Sequence, residues 1–280
     1  MREIHVDEII KAVRKLCIDA NYYLSDDIKQ KLEEAYKEEN WSIAKDILEK
    51  ILENAGIAKN QNMPMCQDTG MTCVFVDLGQ DVHIVGGMLE DAINEGVRQG
   101  YADGYLRKSV VKDPLDRVNT GDNTPAVVHY DIVPGDKIKI TVSPKGFGSE
   151  NMSKLKMLRP ADGVEGVKNF ILQTVKEAGP NPCPPIIVGI GIGGTFEKSA
   201  LLAKKSLLRP VTKRNDNPFY AELEEELLQK VNALGIGPQG FGGRSTALSV
   251  NIEAYPTHIA GLPVAVNISC HATRHAEIEL

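Results

Sequence analysis

The chain has 280 residues, of which 42% are hydrophobic and 25% are charged, a composition typical of a globular protein rather than a disordered chain or a fibre. Its net charge of −6 and the lack of any lysine- or arginine-rich block argue against a partner that is a nucleic acid or an anionic membrane. No apolar run approaches the roughly 20 residues of a membrane span, and the charged N-terminus does not resemble a signal peptide, so we expect a cytoplasmic protein.

Residues 6–58 have apolar side chains at helical spacing and predict three helices with solvated Glu/Lys faces. Ser25 is an N-cap candidate for the second of them, followed by acidic residues that suit a helix N-terminus. We see no catalytic chemistry in this segment and interpret it as the helical N-terminal part of one domain spanning residues 1–280. The fold class predicted for the whole chain is mixed α/β, with further helices around one or more mixed sheets.

The next segment, residues 63–70, places polar groups in a loop that leads directly into a strand. Cys66, Gln67, Asp68 and Thr69 are consecutive, and the alternating apolar run at 71–79 reads as the strand. Loops on rigid elements are common places for catalytic groups. Asp68 and Thr69 also suit an ordinary turn, but turn formation does not explain a thiol at the same place.

Two strands are predicted on either side of Pro134-Gly135, joined as a hairpin or a sheet corner. Before them, a helix over residues 88–106 leads into Arg107, and a loop rich in Asp, Asn, Gly and Pro covers residues 111–125. An arginine at a helix end is most often a solvated charge or a partner of the helix dipole.

Five cysteines at wide spacing, in a chain with no export signal, argue against a disulfide framework. Cys17 lies in an amphipathic helix and Cys73 in the apolar strand, so both are expected in the core. The other three lie beside proline, glycine or polar residues, and they are Cys66, Cys183 and Cys270.

Gly189, Gly191 and Gly194 match G-x-G-x-x-G between a predicted strand and a predicted helix. The polar, proline-broken segment that follows does not provide the second strand of a dinucleotide site, so we interpret these glycines as a tight turn with close packing. His271 and His275 are four residues apart and share one face if this end is helical. A Cys/His zinc site is the alternative there, although no Cys-x2-4-Cys pair exists in the chain.

Four motifs carry a resemblance to a known family. PMCQDTG (64–70), KGFGSEN (145–151), NPCPP (181–185) and the segment PTHIAGLPVAVNISCHATRH (256–275) resemble class I, iron–sulfur-dependent fumarate hydratases and the related tartrate dehydratases. The chain is similar to the alpha subunit of the two-subunit enzymes. The resemblance implies a [4Fe-4S] cluster on Cys66, Cys183 and Cys270.

The resemblance also implies a set of substrate-binding residues. Asp68 is implied as catalytic too, because it would orient or deprotonate the base. Arg107 would hold a carboxylate with its planar guanidinium. The family usually reads KGGGSEN, and this chain has Phe147 at the middle glycine. The implied substrate-binding residues are Gln67, Asp68, Arg107, Gly146, Gly148 and His258.

The function implied by the resemblance is reversible dehydration of a 2-hydroxy dicarboxylate, first (S)-malate to fumarate and alternatively L-tartrate. A separate beta subunit would supply the remaining substrate residues and the proton-abstracting group, so we expect this chain alone to be inactive. The alternatives from a different class are a non-enzymatic protein with a Cys/His metal site and a nucleotide-binding protein that uses the glycine turn.

Overall fold

The computed structural model describes residues 1–280 and confirms the mixed α/β class. The helices are α1 (Val6–Tyr22), α2 (Asp26–Glu38), α3 (Ser42–Gln61), α4 (Leu89–Asp103), α5 (Phe147–Glu150), α6 (Gly163–Ala178), α7 (Phe196–Ser206) and α8 (Pro218–Asn232). The strands are β1 (Arg2–His5), β2 (Met71–Gly79), β3 (Val82–Val85), β4 (Val127–Val133), β5 (Ile138–Lys145), β6 (Lys154–Leu158), β7 (Ile186–Gly193), β8 (Ala247–Tyr255), β9 (Leu262–Ser269) and β10 (Ala276–Glu279).

The chain divides into two compact units, and each is assembled from segments that are distant in sequence. Unit 1 comprises Met1–Leu24, Asn54–Phe147 and Arg274–Leu280. Unit 2 comprises Ser25–Glu53 and Gly148–Thr273. Each unit has a core of its own, because the buried hydrophobic side chains form two separate clusters.

Unit 1 is organised around β2, a strand with five consecutive buried residues at its centre. β4 pairs with β2 in parallel and β5 pairs with it antiparallel, giving the strand order β10-β5-β2-β4. The two strands predicted on either side of Pro134-Gly135 are confirmed as β4 and β5. Of the two connections expected there, the hairpin is wrong, because β2 lies between these strands. β1 and β3 form a separate parallel pair, and α1 packs along α4.

Unit 2 contains a second mixed sheet of order β6-β9-β7-β8. Its central strand β7 is buried at every position, and α7 packs directly on it. A Cβ added at Gly191 would lie 2.0 Å from the Ser199 carbonyl oxygen, and one at Gly189 would lie 2.3 Å from that of Ala203. The helix approaches the strand this closely only because both strand residues are glycine, which supports close packing over a nucleotide-binding loop.

The helices predicted over residues 6–58 are confirmed as α1, α2 and α3. Ser25 occupies the N-cap position of α2, but its side chain makes no capping hydrogen bond. Residues 270–275 form a turn and irregular backbone rather than a helix, so His271 and His275 do not share a helical face. None of the helices combines the length and the apolar composition that a bilayer crossing requires.

Candidate functional site

The loop that carries Cys66 joins α3 to β2 in unit 1, and Met65 anchors its start. The Met65 N–H donates to the Asn21 carbonyl at 3.0 Å, and the Asn54 side-chain amide donates to the Met65 carbonyl at 2.8 Å. Met65 is buried, Cys66 is half-buried and Gln67 is exposed, so the chain turns outward at the thiol. Cys66 Sγ lies 3.4 Å from Gln67 Oε1, which places both predicted site residues together at the exposed apex.

Beyond this apex, buried side chains hold the backbone carbonyls of the loop. The Tyr101 hydroxyl lies 2.7 Å from the Thr69 carbonyl oxygen and 3.0 Å from that of Gly70. The Asn123 side-chain amide donates to the Gly70 carbonyl at 3.2 Å. Burial raises the pKa of Tyr101, so its hydroxyl keeps the proton that it donates. Neither the role of Tyr101 nor that of Asn123 was predicted from the sequence, since Tyr101 looks like an ordinary core residue of an amphipathic helix.

Asp68 is engaged through its whole carboxylate and through its carbonyl. Oδ1 accepts the Gly70 N–H and Oδ2 accepts the Phe147 N–H, each at 3.0 Å, and the Arg274 guanidinium donates to the Asp68 carbonyl. A Cβ at Gly146 would lie 3.1 Å from Asp68 Oδ2, so the residue before Phe147 is held close to this carboxylate. These contacts make Asp68 a residue that fixes the loop, and a direct catalytic role for it stays a prediction.

Arg107 is attached to the same loop by its backbone, and its guanidinium is left available. Thr69 Oγ1 accepts the Arg107 N–H at 2.9 Å and donates to the Arg107 carbonyl at 3.2 Å. The Arg107 side chain is exposed and forms no ion pair within the chain. The carboxylate-binding role that the family resemblance implies for Arg107 stays a prediction, and Thr69 has a structural role that a turn interpretation misses.

In unit 2, strand pairing brings the two remaining predicted cysteines to the same end of the sheet. Cys183 precedes β7 and Cys270 follows β9, and these strands are antiparallel, with Ile187 opposite Ser269. The His271 N–H donates to the Cys183 carbonyl at 3.3 Å, so the two loops are bonded to each other. Cys183 is exposed with φ of +56°, and Cys270 is half-buried. Two of the three predicted cluster ligands are thus brought together within one unit.

Gln239 supports the loop that carries Cys183, and this role was not predicted from the sequence. Its backbone N–H and its side-chain amide both donate to the Pro184 carbonyl at 2.8 Å. The same amide nitrogen lies 3.1 Å from His271 Nδ1, which is 3.0 Å from the Cys183 carbonyl oxygen. Gln239 has φ of +51°, and only the surrounding glycines in the sequence indicate an unusual turn here.

Gly148 and His258 lie at different places in unit 2. A Cβ at Gly148 would be 3.7 Å from the carbonyl oxygen of Asn181, so Gly148 lies near the Cys183 loop. His258 precedes β9, at the end of the strand opposite to Cys270. β9 has eight residues, about 25 Å at roughly 3.3 Å per residue. His258 instead lines an apolar cavity of about 360 Å³. Within unit 2 it lies apart from Cys183 and Cys270, and its role in substrate binding stays a prediction.

The donor set fits an iron–sulfur cluster, for which thiolates are the usual protein ligands. Cys17 and Cys73 are buried, as predicted, and burial raises the pKa of the Cys17 thiol, which disfavours a metal-binding thiolate there. The three loop cysteines are all accessible to some extent. Neither unit by itself contains three or more His, Cys, Asp or Glu side chains grouped to hold a metal ion.

Comparison with known proteins gives matches over nearly the whole chain. A family model described as fumarate hydratase (fumerase) matches residues 10–279. The chain is 46% identical over 275 residues to a Methanocaldococcus jannaschii protein provisionally named L(+)-tartrate dehydratase subunit alpha, with 96% of each chain covered. It is 34% identical over 277 residues to the L(+)-tartrate dehydratase subunit alpha of Escherichia coli strain K12, with 98% of this chain and 91% of the relative covered.

Proposed function

Because this chain belongs to the fumarate hydratase family of hydro-lyases, we propose that it is the alpha subunit of an enzyme that reversibly dehydrates a 2-hydroxy dicarboxylate. The observation that carries the proposal is the position of Cys183 and Cys270 at the same end of two paired strands, in a chain that matches the family from residue 10 to residue 279. The site residues follow from the motifs that this chain shares with the family.

Cys66, Cys183 and Cys270 would hold a [4Fe-4S] cluster. The family motif, rather than a measured distance, assigns Cys66 as the third ligand. Three cysteine ligands leave one iron without a protein ligand, and a bound cluster would supply a Lewis acid there for the departing hydroxyl group. The thiols of Cys66, Cys183 and Cys270 are all accessible enough to bind such a cluster.

The residues around Cys66 would bind and orient the substrate. Arg107 would hold a carboxylate through its exposed guanidinium, since Arg can bind a carboxylate with two parallel hydrogen bonds. Gln67, at the loop apex beside the thiol, would donate from its amide to a substrate oxygen. Asp68 would keep this loop in place through the Gly70 and Phe147 amides. Gly146 stays a candidate for backbone contact with the substrate.

A separate beta subunit would complete the site. The relatives in M. jannaschii and E. coli are both named as alpha subunits, which implies a partner for them. In this chain the proposed site offers one exposed cation, Arg107, for a substrate with two carboxylates. Asp68, the implied catalytic group, is occupied by backbone amides. The second carboxylate partner and the proton-abstracting base would therefore come from the beta subunit.

The names of the relatives favour L(+)-tartrate as the first substrate to test. The description of the family model favours fumarate and malate, which was the first expectation from the sequence. L(+)-tartrate and malate both have a hydroxyl on the carbon next to a carboxylate, so the same residues would serve both. The groups that distinguish them would include those of the beta subunit.

The test is anaerobic co-expression of this chain with its beta partner, followed by assays on L(+)-tartrate, (S)-malate and fumarate. We expect about four irons and four sulfides per alpha chain, dehydration of L(+)-tartrate or (S)-malate or the reverse hydration of fumarate, and no activity from either chain alone. Zinc in place of iron, a tightly bound nucleotide, or a pure chain that binds no metal would contradict the proposal.

A further inference from the structure

Arg274 is a buried cation that the protein leaves largely unpaired. Its side chain belongs to unit 1 and the residue is 4% exposed. One guanidinium nitrogen, Nη2, donates to the Asp68 carbonyl. The other two, Nε and Nη1, are buried without a hydrogen-bond partner. Arginine stays charged in proteins, so unit 1 buries a positive charge that only one neutral acceptor compensates.

Such an arrangement is unfavourable, since a buried charge is normally paired and fully hydrogen-bonded. Unit 2 shows the usual solution. The Arg209 side chain is only 12% exposed, and its guanidinium forms ion pairs with Glu224 and, at 3.2 Å, with Glu253. Arg274 has no such carboxylate. The contrast indicates that the negative charge that balances Arg274 is not supplied by an ion pair with a carboxylate of this unit.

The residues around Arg274 limit which group can supply the balancing negative charge. The Asp68 carboxylate oxygens accept hydrogen bonds from the Gly70 and Phe147 amides and form none with Arg274. The Tyr101 hydroxyl donates to the carbonyls of Thr69 and Gly70 and carries no charge. The free Arg274 nitrogens have almost no solvent exposure, so a dissolved substrate does not reach them. A second source of negative charge on this loop is Cys66, which stands two residues before Asp68 and would be a thiolate when it holds a cluster.

We propose that Arg274 is a positioning residue for the iron–sulfur cluster. Its charge offsets the negative charge that the thiolate ligands bring, and its hydrogen bond to the Asp68 carbonyl holds the Cys66 loop ready for loading. This inference rests on the proposed function, because it requires a cluster on Cys66. It adds a residue outside the predicted ligand and substrate set, and it explains why a buried arginine stands four residues after Cys270.

Two properties of Arg274 are separable by substitution. Arg274→Met removes both the charge and the hydrogen bond, whereas Arg274→Lys keeps the charge. Tyr101→Phe is the matched neutral control, because it removes a hydrogen-bond clamp from the same loop without changing any charge. Arg274→Gln replaces Arg274→Met if the latter does not fold, since it is also neutral and retains donors.

The experiment compares these variants in the anaerobic alpha–beta complex. The measurements are the cluster midpoint potential, from an EPR-monitored redox titration, and the rate of iron loss to a ferrous chelator. We expect Arg274→Met to have a lower potential than wild type, since a buried positive charge favours the reduced cluster. Iron loss should be about 10- to 100-fold faster, by analogy with the loss of metal affinity that usually follows replacement of a residue supporting a metal ligand. Arg274→Lys should keep a potential close to wild type.

Tyr101→Phe should accelerate iron loss without changing the potential. A wild-type potential in the neutral Arg274 variants, or an equal shift in Tyr101→Phe, would overturn the inference while leaving the proposed function intact. A wild-type complex that takes up no cluster would overturn both. Amide hydrogen exchange of residues 66–70 in the cluster-free chain is a second readout, and exchange as slow in Arg274→Met as in wild type would refute the loop-holding role.

Discussion

The two units hold their cysteines in different ways. In unit 1, Cys66 lies on a loop whose carbonyls are bonded by buried side chains from distant parts of the unit, Tyr101, Asn123 and Arg274. In unit 2, Cys183 and Cys270 lie at the ends of two paired strands and take their position from the sheet. A ligand at a strand end needs little additional support, whereas a ligand on a loop needs a set of dedicated contacts.

The largest expected effect tests whether both units supply indispensable sulfurs. Cys66→Ser, Cys183→Ser and Cys270→Ser should each abolish the cluster absorbance, because each would remove one of only three ligands. The measurement is the visible spectrum and the iron content of the anaerobically reconstituted protein. Cys73→Ser is the control, and its cluster should be retained. A cluster that needs Cys73 and tolerates loss of Cys183 would refute the assignment.

The next effect tests whether unit 2 takes its rigidity from the packing of α7 on β7. Gly191→Ala places a methyl group 2.0 Å from the Ser199 carbonyl oxygen, so helix and strand must separate. We expect a loss of about 3 kcal/mol in the free energy of unfolding, the upper part of the usual overpacking range, measured by urea denaturation.

Gly56→Ala is the matched control for this substitution. Gly56 lies within α3 and has no atom within 4 Å of an added Cβ. This change should stabilise the protein by about 0.5–1 kcal/mol through helix propensity. Equal effects of the two substitutions would contradict close packing at β7.

A smaller effect tests the dependence of the unit 1 loop on charged hydrogen bonds. Burial opposes ionisation of Asp122, but hydrogen bonds from the Thr124 amide and hydroxyl and from the Arg98 guanidinium outweigh it and lower its pKa to about 2. Asp122 precedes Asn123, which holds the Gly70 carbonyl. Asp122→Asn should cost about 1–2 kcal/mol at neutral pH.

The lowered pKa of Asp122 determines how its contribution to stability changes with pH. Because the pKa is lower in the folded protein than the roughly 3.9 of an unfolded chain, the contribution of Asp122 is complete above about pH 4–5 and is lost as pH falls toward about 2. Urea denaturation at several pH values should show wild type and Asp122→Asn converging in acid. Asp116→Asn, on the same loop but exposed, should match wild type throughout, and a pH-independent difference for Asp122→Asn would refute the account.

The smallest effect is expected at Gln239, in the unit that relies on its sheet. Gln239→Asn shortens the side chain that bonds the Pro184 carbonyl but tolerates the positive φ. We expect a loss of about 0.5–1.5 kcal/mol, one ordinary hydrogen bond, with cluster content unchanged. Cluster loss as large as in Arg274→Met would show that the Cys183 loop depends on dedicated side chains as much as the Cys66 loop does.

The sequence was sufficient for the local structure and for the choice of cysteines. Apolar periodicity predicted α1, β2 and β7 correctly, and neighbouring residues separated Cys17 and Cys73 from the three loop cysteines. These are properties of short segments. The contrast between a core thiol and a loop thiol is visible in the residues on either side of it.

What the sequence could not predict depends on contacts between distant segments. The connection from β4 to β5 looks like a hairpin, and only the insertion of β2 between them shows otherwise. Tyr101 and Asn123 reach the Cys66 loop from more than 30 residues away in the chain. Nothing in their immediate sequence marks these contacts.

Strand β10 gives unit 1 a particular relation to protein synthesis. Residues 274–280 complete the sheet of this unit by pairing with β5, although unit 2 separates them from the rest of unit 1 in the chain. A ribosome releases residues in order, so unit 1 waits with an open sheet edge until the last strand has emerged, while the segments of unit 2 are already available. Arg274 immediately precedes that strand, so the Cys66 loop gains its Arg274 contact only after the whole of unit 2 has been synthesised.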